Sequence, residues 1–131
     1  MKRIIGYKLF EMESNEYYQQ IPNNIWGSIS IGDGHETEEW SDKNFNKLKS
    51  LLKEEFRISY WGRSKVEITQ KPQGMTCTDV TILNYKDEWF GVEIKMFRKR
   101  DKDNWISYDQ KTYKCDQFDG LIKLLEKYKI V

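Results

Sequence analysis

The chain has 131 residues, enough for one domain with one modest core. Charged residues reach 33% and the formal net charge is +1, so composition makes no global case for nucleic acid or for a strongly acidic partner. No run approaches the roughly 18 apolar residues of a membrane-spanning helix, and the basic start Met1-Lys2-Arg3 leads into no apolar export segment.

In chain order, Ile4 to Met12 reads as a weak strand and Pro22-Asn23-Asn24 as a turn. Ile25, Ile29 and Ile31 alternate with Trp26, Ser28 and Ser30, a period of two that predicts a strand. Gly32 to Trp40 is an acidic loop. Ser41 then offers an N-cap, with Asp42 in the first turn. Phe45, Leu48, Leu51, Leu52 and Phe56 recur at three and four, which predicts an amphipathic helix over 41–57. Lys65 to Thr69 reads as a weak strand and Lys71-Pro72-Gln73-Gly74 as a loop.

The second half is more regular. Thr78 to Tyr85 is a candidate strand, with Asn84 to Glu88 as its turn. Phe90, Val92, Ile94 and Met96 alternate with Gly91, Glu93, Lys95 and Phe97, the pattern of a half-buried strand. Arg98 to Asn104 is strongly polar and reads as a hairpin tip, with Trp105 to Tyr113 as the return strand. Phe118, Leu121, Ile122, Leu125 and Tyr128 predict a second amphipathic helix over 116–129, which Gly120 weakens. The two helices echo each other, Phe45-x-x-Leu48-x-x-Leu51-Leu52 against Phe118-x-x-Leu121-x-x-Leu124-Leu125, as amphipathic helices commonly do and as an internal duplication also would. Clustered strands followed by helices predict an α+β domain over 1–131: an antiparallel sheet of about five to seven strands with both helices packed on it.

The residue inventory favours binding over catalysis. Trp 5, Tyr 8 and Phe 6 make aromatics 15% of the chain, against His 1 and Cys 2. Aromatics supply stiff contact area with a polar handle, whereas acid–base or metal chemistry gathers several His, Cys or paired carboxylates. Cys77 and Cys115 lie far apart and read as free thiols of a reducing, cytoplasmic compartment. Neither Cys has a His nearby and no serine sits in a nucleophile elbow, so the expectation is a non-enzymatic protein without cofactor or metal.

Two stretches are candidate contacts. Asp33, Glu36, Glu38 and Glu39 crowd one loop beside His35, with Trp40 closing it. A metal reading lacks a converging second cluster. A solvated loop favouring the helix N-terminus is the plain alternative. The functional reading is an acidic contact patch that meets a partner's Lys and Arg, with Trp40 as anchor. The second stretch is Arg98, Lys99, Arg100, Lys102 and Trp105, which joins Trp89, Lys95 and Phe97 as a face for stacking bases and holding phosphates. Asp101 and Asp103 dilute its charge, and a polar turn is the plain alternative.

The size, the aromatic-rich α+β pattern and Glu38-Glu39-Trp40 leading into an amphipathic helix resemble the bacterial immunity proteins of contact-dependent inhibition and related toxin systems. That resemblance implies a protein that binds a toxin domain and blocks its active site or an adjacent surface. The near-neutral charge departs from the acidic balance of many nuclease inhibitors. It leaves open a toxin that is not a nuclease, or a phage or mobile-element protein aimed at a host defence enzyme. The absence of Ala and the excess of Lys over Arg fit an AT-rich gene of that kind. The run Trp89 to Tyr128, strands then a helix, is faintly similar to single-strand-binding transcription cofactors, which implies the nucleic-acid alternative.

Overall fold

Alternation with a period of two runs through most of the chain from Phe56 to Asp116 and builds five strands, which with Tyr18–Ile21 make one antiparallel sheet of six among the described residues. The computed structural model describes residues 14–22, 37–85, 89–102 and 104–131. The strands expected over 4–12 and 25–31, residues 23–24 of the first turn and residues 86–88 of the later one lie outside the described residues.

Strand β1 is Tyr18–Ile21, helix α1 Asp42–Leu51, β2 Phe56–Tyr60 and β3 Lys65–Gln70. Then follow β4 Thr76–Tyr85, β5 Trp89–Asp101, β6 Asn104–Asp116 and α2 Gln117–Lys127. The sheet order is β1-β6-β5-β4-β3-β2, so β2 to β6 form a meander and β1 closes against β6. Val80 opposite Ile94, Ile82 opposite Val92 and Val92 opposite Tyr113 set the central register. Those side chains share one face with Val66, Ile68, Phe90 and Cys115, and all are buried. Leu48 of α1 and Leu121, Leu124 and Leu125 of α2 cover them. Both helices therefore pack on one face, as the pattern predicts.

Three boundaries differ from the sequence reading. Helix α1 begins at the expected N-cap, where Ser41 Oγ accepts from the Asn44 N–H at 3.1 Å. It stops at Leu51 and not near residue 57. Lys53 N–H donates to the Ile130 carbonyl at 2.9 Å, a contact from the far end of the chain that pulls the backbone out of the helix. Phe56, in phase with the helical stripe, instead opens β2. The tip expected over 98–104 is mostly strand: Arg98 faces Ile106, Lys99 faces Trp105 and Asp101 faces Asn104. Gly120 is more than a weak point of α2. A Cβ there would collide with the Tyr17 carbonyl oxygen, so the missing side chain is what lets α2 approach the start of β1.

Among the described residues no helix is long and apolar enough to cross a membrane. Cys77 and Cys115 are free.

Candidate functional site

The acidic segment is held by its backbone, which leaves its side chains outward. Thr37 bridges to Tyr85. Glu38 N–H donates to the Asn84 carbonyl at 2.9 Å, and Asn84 Nδ2 donates to the Glu39 carbonyl at 3.2 Å. Trp40 N–H donates to the Arg63 carbonyl at 3.1 Å. This lays 37–40 between the end of β4 and the β2–β3 hairpin. Glu38 and Glu39 are exposed, and Asp33 and Glu36 lie outside the described residues.

The anchor role expected for Trp40 is corrected. Its ring is 3% exposed and lies 5.2 Å from the Phe90 ring, inside the core. The alternation that keeps Glu39 in water turns Trp40 inward, because apolar area of that size is stabilised by burial. The exposed aromatics stand on the neighbouring hairpin. Trp61 is 63% exposed, the most open large apolar side chain among the described residues. Tyr60 is 43% exposed and stacks on Phe45 of α1 at 4.1 Å. Partial desolvation, then the charges of Asp42 and Glu39, push the Tyr60 hydroxyl above its ordinary pKa, so these carboxylates sit close to it. Glu38, Glu39, Asp42, Tyr60 and Trp61 thus gather at one end of the sheet. Reading by periodicity missed Tyr60 and Trp61. Their signal was local: two aromatics before Gly62, which takes a φ of 81° in the turn and presents them at a hairpin tip.

The residues of the nucleic-acid alternative do not form one surface. Trp89 and Arg98 are nine positions apart on β5, roughly 30 Å at strand rise. Trp89 is 9% exposed, stacked on Tyr85 at 4.0 Å, with Lys114 Nζ 4.7 Å above it. A ring so buried and already stacked leaves little surface for the base stacking expected of it. Lys95, Phe97, Lys99 and Trp105 share the face away from the helices, while Arg98 points to the other face, its guanidinium 5.8 Å from the Tyr108 ring centroid. Arg100 and Lys102 are exposed at the outer end.

The face around Lys95 is also acidic. Lys95 Nζ lies 4.0 Å from Glu93, and Glu93 accepts from Gln110 Nε2 at 2.6 Å. Burial pushes the Glu93 carboxyl above its ordinary pKa, against the opposing pull of Lys95, Lys65 and the Gln110 bond. Burial and the charge of Glu67 likewise raise Asp79. The Lys95 ammonium on that face is therefore flanked by Glu93 and Asp79, whose charges offset its attraction for a phosphate.

Among the described residues no three His, Cys, Asp or Glu side chains are placed to hold a metal ion. Burial pushes the Cys115 thiol strongly up, and burial with the charge of Asp79 raises Cys77, so both favour the unreactive thiol. Comparison with known protein families, with curated proteins and with solved structures finds no match for this chain.

Proposed function

We propose that this chain is a non-enzymatic protein-binding domain: a small inhibitor or immunity protein that neutralises a toxin or another enzyme. It does so by covering the target's active site or a neighbouring surface. A cytoplasmic site of action, in a bacterium or against a host defence enzyme when the gene is carried by a phage, belongs to the same proposal. The supporting observation is the join of exposed Tyr60 and Trp61 with Glu38, Glu39 and Asp42. Exposed aromatics beside a cluster of carboxylates suit a basic cleft, where carboxylates stand in for phosphates and the rings supply affinity.

The test is capture of the target on the immobilised protein, identification by mass spectrometry, and assay of the captured enzyme with and without the domain. Glu38→Lys with Glu39→Lys, and separately Trp61→Ala, should release the target and relieve its inhibition. A target held equally well by all three proteins would sink the assignment of this patch.

A second reading rests on the outer end of the β5–β6 hairpin, where the Arg98 guanidinium lies 5.8 Å from the ring centroid of Tyr108, itself 50% exposed, and Arg100 and Lys102 are exposed farther toward the tip. It makes the chain a single-stranded nucleic-acid binder. Anisotropy of a labelled oligonucleotide at two salt concentrations discriminates. Affinity that falls steeply with salt, and less steeply in Arg98→Ala with Arg100→Ala, supports this reading. No binding at low salt removes it.

A further inference from the structure

Among the described residues strand β2 is an edge of the sheet. Trp61 N–H donates to the Lys65 carbonyl, and Lys71 N–H donates to the Glu55 carbonyl. Those bonded pairs set the parity: Arg57 and Ser59 bond to β3, whereas the N–H and C=O groups of Phe56, Ile58 and Tyr60 point away from it. The Phe56 N–H is satisfied by the Lys53 carbonyl at 3.0 Å. Among the described residues nothing accepts from Ile58 or Tyr60. Such an edge is a template for another strand unless it is guarded. No proline, bulge or inward charge guards β2.

Its surroundings are bipolar. Helix α1 runs antiparallel to β2, with its start over Tyr60 and its end beside Phe56. At the Tyr60 end stand Glu38, Glu39 and Asp42. At the Phe56 end a groove of about 610 Å³ has Leu52, Phe56 and Ile58 as its apolar wall. Its charged lining is Lys49, Lys53 and Arg57 against Glu54 alone. An acidic end with a protruding ring and a basic end with an apolar groove are complementary when the edge meets itself reversed.

We infer that β2 pairs antiparallel with β2 of a second copy of this chain, centred on Ile58, to form a two-fold symmetric dimer with a continuous sheet. Centring on Ile58 sets Tyr60 opposite the second copy's Phe56, on the same face, so each Tyr60 ring enters the other copy's groove. About four new backbone bonds result: reciprocal Ile58–Ile58 bonds, and Tyr60 N–H to the Phe56 carbonyl in both directions. Glu39 and Asp42 of each copy then lie against Lys49 and Lys53 of the other. One patch serves both copies, as a two-fold interface requires. The pairing does not depend on the proposed target. It covers Tyr60, so a bound target and a second copy exclude one another there.

The test uses purified protein and light scattering across a dilution series. The expected mass is twice 15.8 kDa at the concentrated end, falling toward 15.8 kDa on dilution. A mass of 15.8 kDa at every concentration overturns the inference. Ile58→Pro removes an outward N–H and leaves the β2–β3 ladder intact, so it should be monomeric with unchanged far-ultraviolet circular dichroism. Two charge variants decide if that protein does not fold. Lys49→Glu with Lys53→Glu, and Glu39→Lys with Asp42→Lys, should each weaken self-association about tenfold. Mixed one to one, they should recover wild-type affinity, because each supplies the charge the other lost. A mixture as weak as its components, or a dimer indifferent to every variant, overturns the pairing.

Discussion

Trp40 and Trp61 stand on neighbouring segments yet should respond to alanine in opposite ways. Trp40 is 3% exposed, so Trp40→Ala returns nearly a whole indole to water or leaves a cavity. A tryptophan buries ~150–250 Å², which at ~25 cal/mol/Å² is ~4–6 kcal/mol. Residual compactness of the unfolded chain trims that to ~3–5 kcal/mol. Its Nε1 has no hydrogen-bond partner among the described residues, so no lost hydrogen bond adds to the cost. Trp61 is 63% exposed, and Trp61→Ala should stay within ~0.5 kcal/mol of the parent. Urea unfolding followed by far-ultraviolet circular dichroism reads both. With a slope of ~2 kcal/mol per molar, Trp40→Ala should lower the midpoint by ~2 M while Trp61→Ala leaves it in place. Trp61→Ala should still lose the target. Matching midpoints for Trp40→Ala and the parent would remove Trp40 from the core and reopen it as a surface anchor.

Gly120→Ala should destabilise by ~1–2 kcal/mol, although helix propensity alone predicts a gain of up to ~1 kcal/mol, because the new methyl meets the Tyr17 backbone. A variant as stable as the parent in urea would mean that α2 does not approach β1 so closely. Tyr113 and Tyr128 share a hydroxyl–hydroxyl bond of 2.6 Å, so Tyr113→Phe should cost ~1 kcal/mol in the same assay; no loss would show that water replaces the bond. Glu93 and Asp79 have folded pKa values raised above the ordinary 4.5 and 3.8. The folded state therefore holds protons that the unfolded state has released, and these two groups make stability fall as pH rises from those values through the raised ones. Glu93→Gln with Asp79→Asn should flatten that decline, and an unchanged slope of midpoint against pH would assign it to other groups.

Much of the sheet was legible because strand signals are local. Phe90, Val92, Ile94 and Met96 needed only the period of two to declare a strand with one buried face, and all four point at the helices. The face of α2 was equally plain from Phe118 to Leu125. The acidic segment before α1 was visible as a contact candidate from charge alone. Its aromatic partner was not, because Tyr60 and Trp61 join it only when the β2–β3 hairpin folds back beside Trp40.

The class of the fold, β3 and β4, the inner parts of β5 and β6, the start of α1 and the span of α2 were therefore written in the local sequence. Each depends on neighbours within a turn or a pleat. Tertiary structure alone decided where α1 stops, since the carbonyl that captures Lys53 belongs to Ile130. It decided that Phe56 serves an edge strand and not a helix, that Trp40 is core while Trp61 is surface, and that Gly120 is a point of close approach. Those outcomes hang on groups distant along the chain, and local periodicity carries no information about which distant group arrives.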